Sequence, residues 1–351
     1  MSEPVIRVGI VGAGSNTTRL HIPKLLEIDG VDIVAVCNRS RESGERVAAE
    51  WNIPDVYLDW RELATADGID AVVIGTWPNM HAPVTIAALE AGKHVLCEAR
   101  MARDVAEARA MRDAARERPQ LVAQMVPSPL SFGVDAAIRR LLADGFLGRL
   151  VSIDVEARTG SFPDSDAQLH WREDMDLSGR NVMSLGIWYE SVMRWVGTAT
   201  AVTAVGKVTV PMRKDAAGRP RAVRIPDHLD VIAEMAGGAQ ARFQLSNATG
   251  MAPANRVTLF GHDGVLRFDG GRFHGARRGD EEMLPIEVPH DEEGTWRVEE
   301  DFIDAIRGRG VIELTDFDTG VEYMEFTEAV WLSMQRRCTV PLPLPSAAGG
   351  A

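Results

Sequence analysis

Short apolar runs alternate with longer amphipathic stretches through the first third of the chain. Residues 5–11 are mostly apolar and stop at Gly12, which predicts a buried strand. Over 21–28, Ile22, Leu25, Leu26 and Ile28 fall at helical spacing. Residues 31–36 predict a second buried strand, and 42–51 an amphipathic helix with Val47 and Trp51 one turn apart. A third strand follows at 71–74, then a helix over 83–91 stopped by Gly92. A strand at 94–97, a polar-faced helix over 105–117 and a strand at 121–124 complete the pattern. Strands that are apolar throughout, alternating with helices, predict a parallel sheet covered on both faces. Pro119, Pro127 and Pro129 punctuate its end, so the first domain is set at 1–127 and the second at 128–351.

The second part is patterned differently. Residues 150–158 place Val151, Ile153, Val155 and Ala157 at every other position, the period of a sheet with one face exposed. Stretches 201–210 and 231–245 continue in strand style, and 256–260 and 264–268 are short strands around a Gly-His-Asp-Gly turn. Residues 181–196 predict a helix among them, and 296–307 and 319–336 two closing helices. This predicts an α+β domain on an open, mostly antiparallel sheet. The tail 341–351 is rich in Pro, Ala and Gly and is expected to fray.

Composition narrows the partners. A chain of 351 residues with a formal net charge of −13 suits two ordinary domains and disfavours nucleic acid or an anionic membrane as a partner. Cys37, Cys97 and Cys338 fit no zinc spacing and no disulfide framework. No metal site is expected. The start has no basic segment followed by an apolar core, so a reducing cytoplasm is the expected location.

Gly12-Ala13-Gly14-Ser15-Asn16-Thr17 follows a strand and precedes a helix, the context in which a G-x-G pair binds a dinucleotide. Gly12 permits the tight turn and Gly14 lets the backbone approach a pyrophosphate at the helix N-terminus. This makes the first domain a doubly wound Rossmann sheet. Thr17 stands where a third glycine or alanine is usual, so helix and strand should pack slightly less closely. The second strand ends Cys37-Asn38-Arg39-Ser40 rather than in an acid. Asn38 does not repel a 2′-phosphate, Arg39 can pair with one and Ser40 can donate to it, which favours NADP over NAD.

The chain resembles the glucose-fructose oxidoreductase / inositol dehydrogenase (Gfo/Idh/MocA) family. The resemblance rests on the Gly12 fingerprint, on 91–98 (Ala-Gly-Lys-His-Val-Leu-Cys-Glu), on 302–306 (Phe-Ile-Asp-Ala-Ile) and on Glu328-Ala329-Val330. It implies hydride transfer on sugars, polyols or related alcohols. It also implies an open sheet used for substrate and for oligomer contacts, hence a homodimer or homotetramer. Relatives carry a Thr-Pro-Asn turn beside the nicotinamide ribose; here Thr76-Trp77-Pro78-Asn79 displaces Pro-Asn by one position. Thr76, Trp77, Pro78, His81 and Glu98 join Gly12, Gly14, Ser15, Asn16, Thr17, Asn38, Arg39 and Ser40 as expected cofactor contacts.

The family signature Glu-Lys-Pro reads Glu98-Ala99-Arg100, and the family's Asp and His four residues apart read Ser184 and Trp188. All three titratable groups are therefore replaced. Arg100 can bind an oxyanion or carboxylate but cannot serve as a base at ordinary pH. His170, Tyr189 and Glu190 are the candidate proton carriers, Glu190 also being placed to pair with Arg194. Trp171, Arg172, Arg180, Asn181 and Trp188 are expected to line a site for a small polar or anionic substrate. The favoured reading is an NAD(P)-dependent oxidoreductase acting on a sugar-like, cyclic-diol or imine substrate through a non-standard proton relay. The alternatives are a transient-redox sugar lyase or glycosidase with tightly bound NAD(P), and a non-catalytic NADP-binding sensor.

Overall fold

The computed structural model describes residues 4–345, and these fall into two compact units. One takes in the chain through Pro127 together with Arg297–Met324; the other takes in Ser128–Trp296 and the chain from Glu325 onward.

In the first unit, β1 (Ile6–Val11), β2 (Val31–Cys37), β3 (Asp55–Tyr57), β4 (Ala71–Ile74), β5 (His94–Cys97) and β6 (Ala123–Met125) form one parallel sheet in the order β3-β2-β1-β4-β5-β6. That order reverses between β1 and β4, the place where doubly wound sheets open a crevice at the strands' C-terminal ends. Val8, Ile10, Val72, Val95 and Leu96 are fully buried, as strands covered on both faces require. The connecting helices are α1 (Ile22–Leu26), α2 (Arg41–Trp51), α3 (Trp60–Thr65), α4 (Pro78–Glu90) and α5 (Val105–Arg116).

Three local differences from the sequence pattern have physical causes. The helix read over 21–28 is preceded by a π-helical turn over Thr17–His21. α4 begins at Pro78, not at residue 83, because proline is pre-organised for the first helical position, where its missing N–H has no role. β3 and α3 are too short for periodicity to reveal, although Asp59 caps α3 through the Arg61 N–H at 2.9 Å.

The second unit opens with α6 (Phe132–Ala143), which the sequence pattern did not show. β7 (Leu150–Arg158), α7 (Met175–Ser178), α8 (Leu185–Val196), β8 (Ala199–Lys207), β9 (Met212–Lys214), β10 (Pro220–Ala222), β11 (His228–Met235), β12 (Gln240–Ser246), β13 (Arg256–Gly261), β14 (Gly264–Asp269), β15 (Arg272–Arg277) and β16 (Leu284–Pro285) follow. β9 and β10 form a small ribbon. The others, with β17 (Val340–Pro341), form a nine-stranded sheet in the order β16-β15-β14-β13-β7-β12-β11-β8-β17. Only β12 and β7 pair in parallel. Ile153, Val155 and Ala157 are buried on one face of β7, while Asp154, Glu156 and Arg158 stand on the other. The stretch 231–245 is a hairpin, turning at Gly238 with φ +83°. The helix expected from 181 starts only at Leu185, because Met183 is left-handed at φ +47°.

Two helices close the chain, α9 (Val298–Ile306) and α10 (Phe317–Arg336). The expected second domain, 128–351, made no provision for 297–324 returning to the first unit. There the Tyr323 hydroxyl accepts from the Met101 N–H at 2.6 Å and the Thr315 carbonyl accepts from Met125 N–H at 3.0 Å. Helical periodicity shows which face of such a segment is buried, not which core receives it. The expected fraying of the tail falls largely on residues 346–351, outside the described residues; its start is tied to β8 through β17. Among the described residues no helix is long and apolar enough to cross a membrane.

Candidate functional site

The β1–α1 loop of the first unit is built on backbone contacts. Gly12 N–H donates to the Cys37 carbonyl at 2.8 Å, and Gly14 N–H to the Gly12 carbonyl at 2.8 Å. Gly12 has φ +87°, and a Cβ there would stand 2.5 Å from Thr76 Cγ2. A Cβ on Gly14 would come no closer than 3.9 Å to anything, so the face above Gly14 is open. The close packing that Thr17 was expected to loosen is restored from the other side: a Cβ on Gly75 would lie 2.0 Å from Thr17 Oγ1. Ser15 is exposed beside this turn.

At the end of β2, Asn38 faces inward. Its Oδ1 accepts from Ala13 N–H at 2.7 Å and its Nδ2 donates to Ser43 Oγ at 2.8 Å. Its amide therefore braces the loop, so the expectation that it meets the ribose directly gives way to a supporting role. Ser40 caps α2 by accepting from Ser43 N–H at 3.3 Å. Arg39 is exposed, with its guanidinium 5.1 Å from the centre of the Trp77 ring. Beyond Trp77, Pro78 is buried at the start of α4. Thr76 Oγ1 and Asn79 Oδ1 are buried and make no hydrogen bond within the chain.

The Glu98-Ala99-Arg100 turn leaves the end of β5 and is held from several sides. Asn16 Nδ2 and the His21 Nε2–H, the latter at 3.0 Å, donate to Glu98 Oε1, and Ala99 N–H donates to Oε2 at 3.0 Å. The other nitrogen of His21 donates to Glu299 on α9. Burial draws His21 down, but the two carboxylates outweigh it and raise its pKa to about 9. Burial alone would push Glu98 up; the donations from His21, Asn16 and the Ala99 N–H hold it below the usual carboxylate range instead. His81 is fully buried, with Nδ1 2.9 Å from the Arg100 carbonyl and Nε2 3.0 Å from the Thr76 carbonyl. Burial lowers its pKa, so the ring is neutral and donates through one nitrogen only. His81 is thus enclosed between the two carbonyls and donates to one of them. Arg100 is 2% exposed and follows a cis peptide bond at Ala99–Arg100.

In the second unit, Ser184 precedes α8 without a side-chain capping hydrogen bond, and Trp188, on the helix's first turns, is buried. Tyr189 stacks on Phe326 with ring centroids 3.6 Å apart, and its hydroxyl accepts from the Ala199 N–H at 2.8 Å. Glu190, 1% exposed, accepts from Ser128 N–H at 3.0 Å and from Arg194 at 2.9 Å. Packing and hydrogen bonds account for both side chains, so the structure turns two of the expected proton carriers into core elements. Asn181 is buried and donates to the Ser178 carbonyl at 2.7 Å, and Arg180 pairs with Glu328. Asn181 thus holds the turn before α8, and the Arg180 charge is matched by Glu328 of α10.

The remaining candidates cluster at 170–173. His170 is exposed and its Nδ1 accepts from Arg172 N–H at 3.2 Å, which puts the proton of the neutral ring on Nε2. Burial and then Arg172 lower its pKa. Arg172 lies over Trp171, 4.2 Å from the ring centre. Arg172 also lines a cavity of about 190 Å³ with Arg213, Asp164, Glu173 and Asp227. Arg213 joins this cavity's walls by donating to Glu173 at 3.0 Å and to the Asp164 carbonyl at 2.7 Å.

Comparison with known proteins follows this division. Residues 6–125 match an oxidoreductase family with an NAD-binding Rossmann fold, GFO/IDH/MocA, and residues 136–267 match the C-terminal domain of the same family. The chain belongs to the Gfo/Idh/MocA family. It is an NAD(P)-dependent oxidoreductase of that family. It is 28% identical over 266 residues to a trans-1,2-dihydrobenzene-1,2-diol dehydrogenase of Bos taurus, covering 75% of this chain and 73% of the other. It is 25% identical over 250 residues to the levoglucosan dehydrogenase of Pseudarthrobacter phenanthrenivorans, covering 67% and 64%. Among solved structures, an oxidoreductase domain protein from Kribbella flavida superposes with a TM-score of 0.84 at 24% identity, covering 97% of this chain and all of that one. A levoglucosan dehydrogenase solved with NADH and levoglucosan also gives 0.84, at 22% identity and covering 96% and 99%. These two structures establish the oxidoreductase's fold.

Sequence reasoning missed His21 and Glu299. They are 278 residues apart, and nothing in local spacing joins a histidine near the first helix to a glutamate near the last.

Proposed function

We propose that this oxidoreductase is NADP-linked and acts on a neutral polyhydroxylated substrate, a sugar or a cyclic diol. The cofactor half rests on Arg39. It is the exposed cation at the end of β2, where NAD binders carry an acid, and the neighbouring Asn38 amide is committed to Ala13 and Ser43. The loop fits such a group: Gly14 leaves its face open, and Thr76 Oγ1 and Asn79 Oδ1 are buried polar atoms with partners still to find. Gly12, Gly14 and Ser15 would hold the pyrophosphate, and Arg39 with Ser40 the 2′-phosphate. The bound nicotinamide supplies a hydride acceptor or donor.

The substrate half rests on the cavity of the second unit. Its walls carry Arg172 and Arg213 against Asp164, Glu173 and Asp227, an excess of acid that disfavours an anion. The expected anionic preference also loses Arg180, whose charge Glu328 matches. At about 190 Å³ the cavity lies below the roughly 300–1,000 Å³ of drug-sized sites, which suits one small ring. Relatives named for a dihydrodiol and for levoglucosan support that class.

Ala99, Ser184 and Trp188 offer no titrating group, Glu190 and Tyr189 are committed, and Arg100 stays charged. His170 is left as the proton carrier. It is neutral, exposed and two residues from Arg172 of the cavity wall. A homodimer or homotetramer through the open sheet face completes the proposal, supported by Val205 and Ile232, which stand 72% and 52% exposed there.

The deciding experiment measures NADPH and NADH dissociation constants for wild type and Arg39→Ala. Loss of one charge-assisted contact of about 1.5–3 kcal/mol weakens NADPH roughly tenfold or more and leaves NADH unchanged. An equal effect on both cofactors, or none, overturns the NADP assignment.

A further inference from the structure

Glu98, His21 and Glu299 form a buried line of three titratable groups within the first unit. The side chains of His21 and Glu299 are fully buried and that of Glu98 is 13% exposed. Each ring nitrogen of His21 faces a carboxylate oxygen. A carboxylate only accepts, so both nitrogens donate and the ring is an imidazolium. The far end of the line reaches the phosphate loop, because Asn16 donates to the same Glu98 oxygen that His21 holds. The near end is fixed to α9 through Glu299. The Glu98 carboxylate accepts two hydrogen bonds on Oε1 and one on Oε2, which fixes it as a strut.

We propose that His21 is a positioning residue for cofactor binding, bridging Glu98 and Glu299 so that Glu98 holds Asn16 in the loop geometry that receives the pyrophosphate. The inference rests on reading the Gly12–Thr17 loop as the dinucleotide site. Its physical core is charge balance. Without the imidazolium, two carboxylates are buried against each other with no cation between them, and one of them must move or take up a proton. The one at the exposed end is Glu98, and its movement releases Asn16. Lys24 feels the Glu299 charge, but it pairs with Glu27 at 3.0 Å and does not replace the ring. The cluster is intact below the ordinary imidazole value of 6.5 and is lost as pH rises through about 9.

The test compares NADPH binding by calorimetry in wild type, His21→Gln, Glu299→Gln and the double variant, from pH 7 to 10. Wild type is expected to bind and to weaken through about pH 9. His21→Gln is expected to weaken binding at pH 7 by about tenfold, within the range of ordinary site coupling, and to lose the step near pH 9. Adding Glu299→Gln to His21→Gln removes the second buried carboxylate and is expected to restore most of the affinity. A purely packing role predicts instead that the double variant is at least as weak as His21→Gln. Unchanged binding in His21→Gln, or no rescue in the double variant, overturns the inference. If His21→Gln does not fold, the wild-type pH step and its shift to lower pH in Glu299→Gln decide alone. Failure of wild type to bind either nicotinamide nucleotide defeats the reading of the loop itself and is a separate result.

Discussion

Replacing Glu190 with alanine separates a core strut from a proton carrier. Glu190 is 1% exposed and its partner Arg194 has a side chain 8% exposed. Its oxygens take the Ser128 N–H and one Arg194 nitrogen. The substitution leaves a buried guanidinium short of one partner and a buried backbone N–H with none of its two acceptor contacts. Removing one member of a buried pair costs about 3–5 kcal/mol. Arg194 keeps Asp135 at 2.8 Å and the Ser128 carbonyl at 2.9 Å, which places the loss near the lower bound, about 3 kcal/mol. For a unit of this size that is a fall in Tm of roughly 6–12 °C. Scanning calorimetry of the apo protein reads the shift, and kcat/KM against pH reads the chemistry. A Tm within about 2 °C of wild type, or the disappearance of one limb of the pH profile in a protein that still folds, would refute the structural assignment of Glu190.

Two further outcomes are expected. With His170 as the proposed proton carrier the neutral ring is the active form, and burial and Arg172 place its pKa below the ordinary 6.5; alcohol oxidation is then expected to fall as pH drops through that lowered value. His170→Gln should abolish that acid limb, and a profile identical to wild type would remove His170 from the mechanism. Native protein should show one fast thiol with a disulfide reagent, the exposed Cys338. Burial pushes the Cys37 thiol up to about 11 and the Cys97 thiol higher still, so fast reaction of more than one thiol would contradict their burial.

The Rossmann half was legible because its signals are local. An apolar strand, a glycine turn and a helix lie within one short stretch, and strands such as β4 and β5 start and stop where the apolar run does. Where proline or a left-handed residue sets an element's start, as at Pro78 and Met183, periodicity misplaces it. The site is less legible, because a side chain's type does not reveal its partner. Asn38, His81, Arg180, Asn181, Tyr189 and Glu190 all sit in the expected regions. Each is bound to the protein's own backbone or to an opposite charge. A polar residue of the right type can support a loop or meet a ligand, and sequence spacing does not separate the two.

The Glu98-Ala99-Arg100 turn carries that distinction furthest. Its lysine position holds alanine, yet the turn around it is fully braced. Asn16 and His21 hold Glu98, His81 meets the Arg100 carbonyl, and Tyr323 accepts from Met101 N–H. Burying an imidazolium and two carboxylates is expensive unless they are paired and hydrogen-bonded, and here both ring nitrogens of His21 meet a carboxylate oxygen. A turn that fixes Asn16 of the phosphate loop would need the same support whatever stands at residue 99. The brace does not depend on the side chain at residue 99: its hydrogen bonds run through the Glu98 carboxylate, the Arg100 carbonyl and the Met101 N–H.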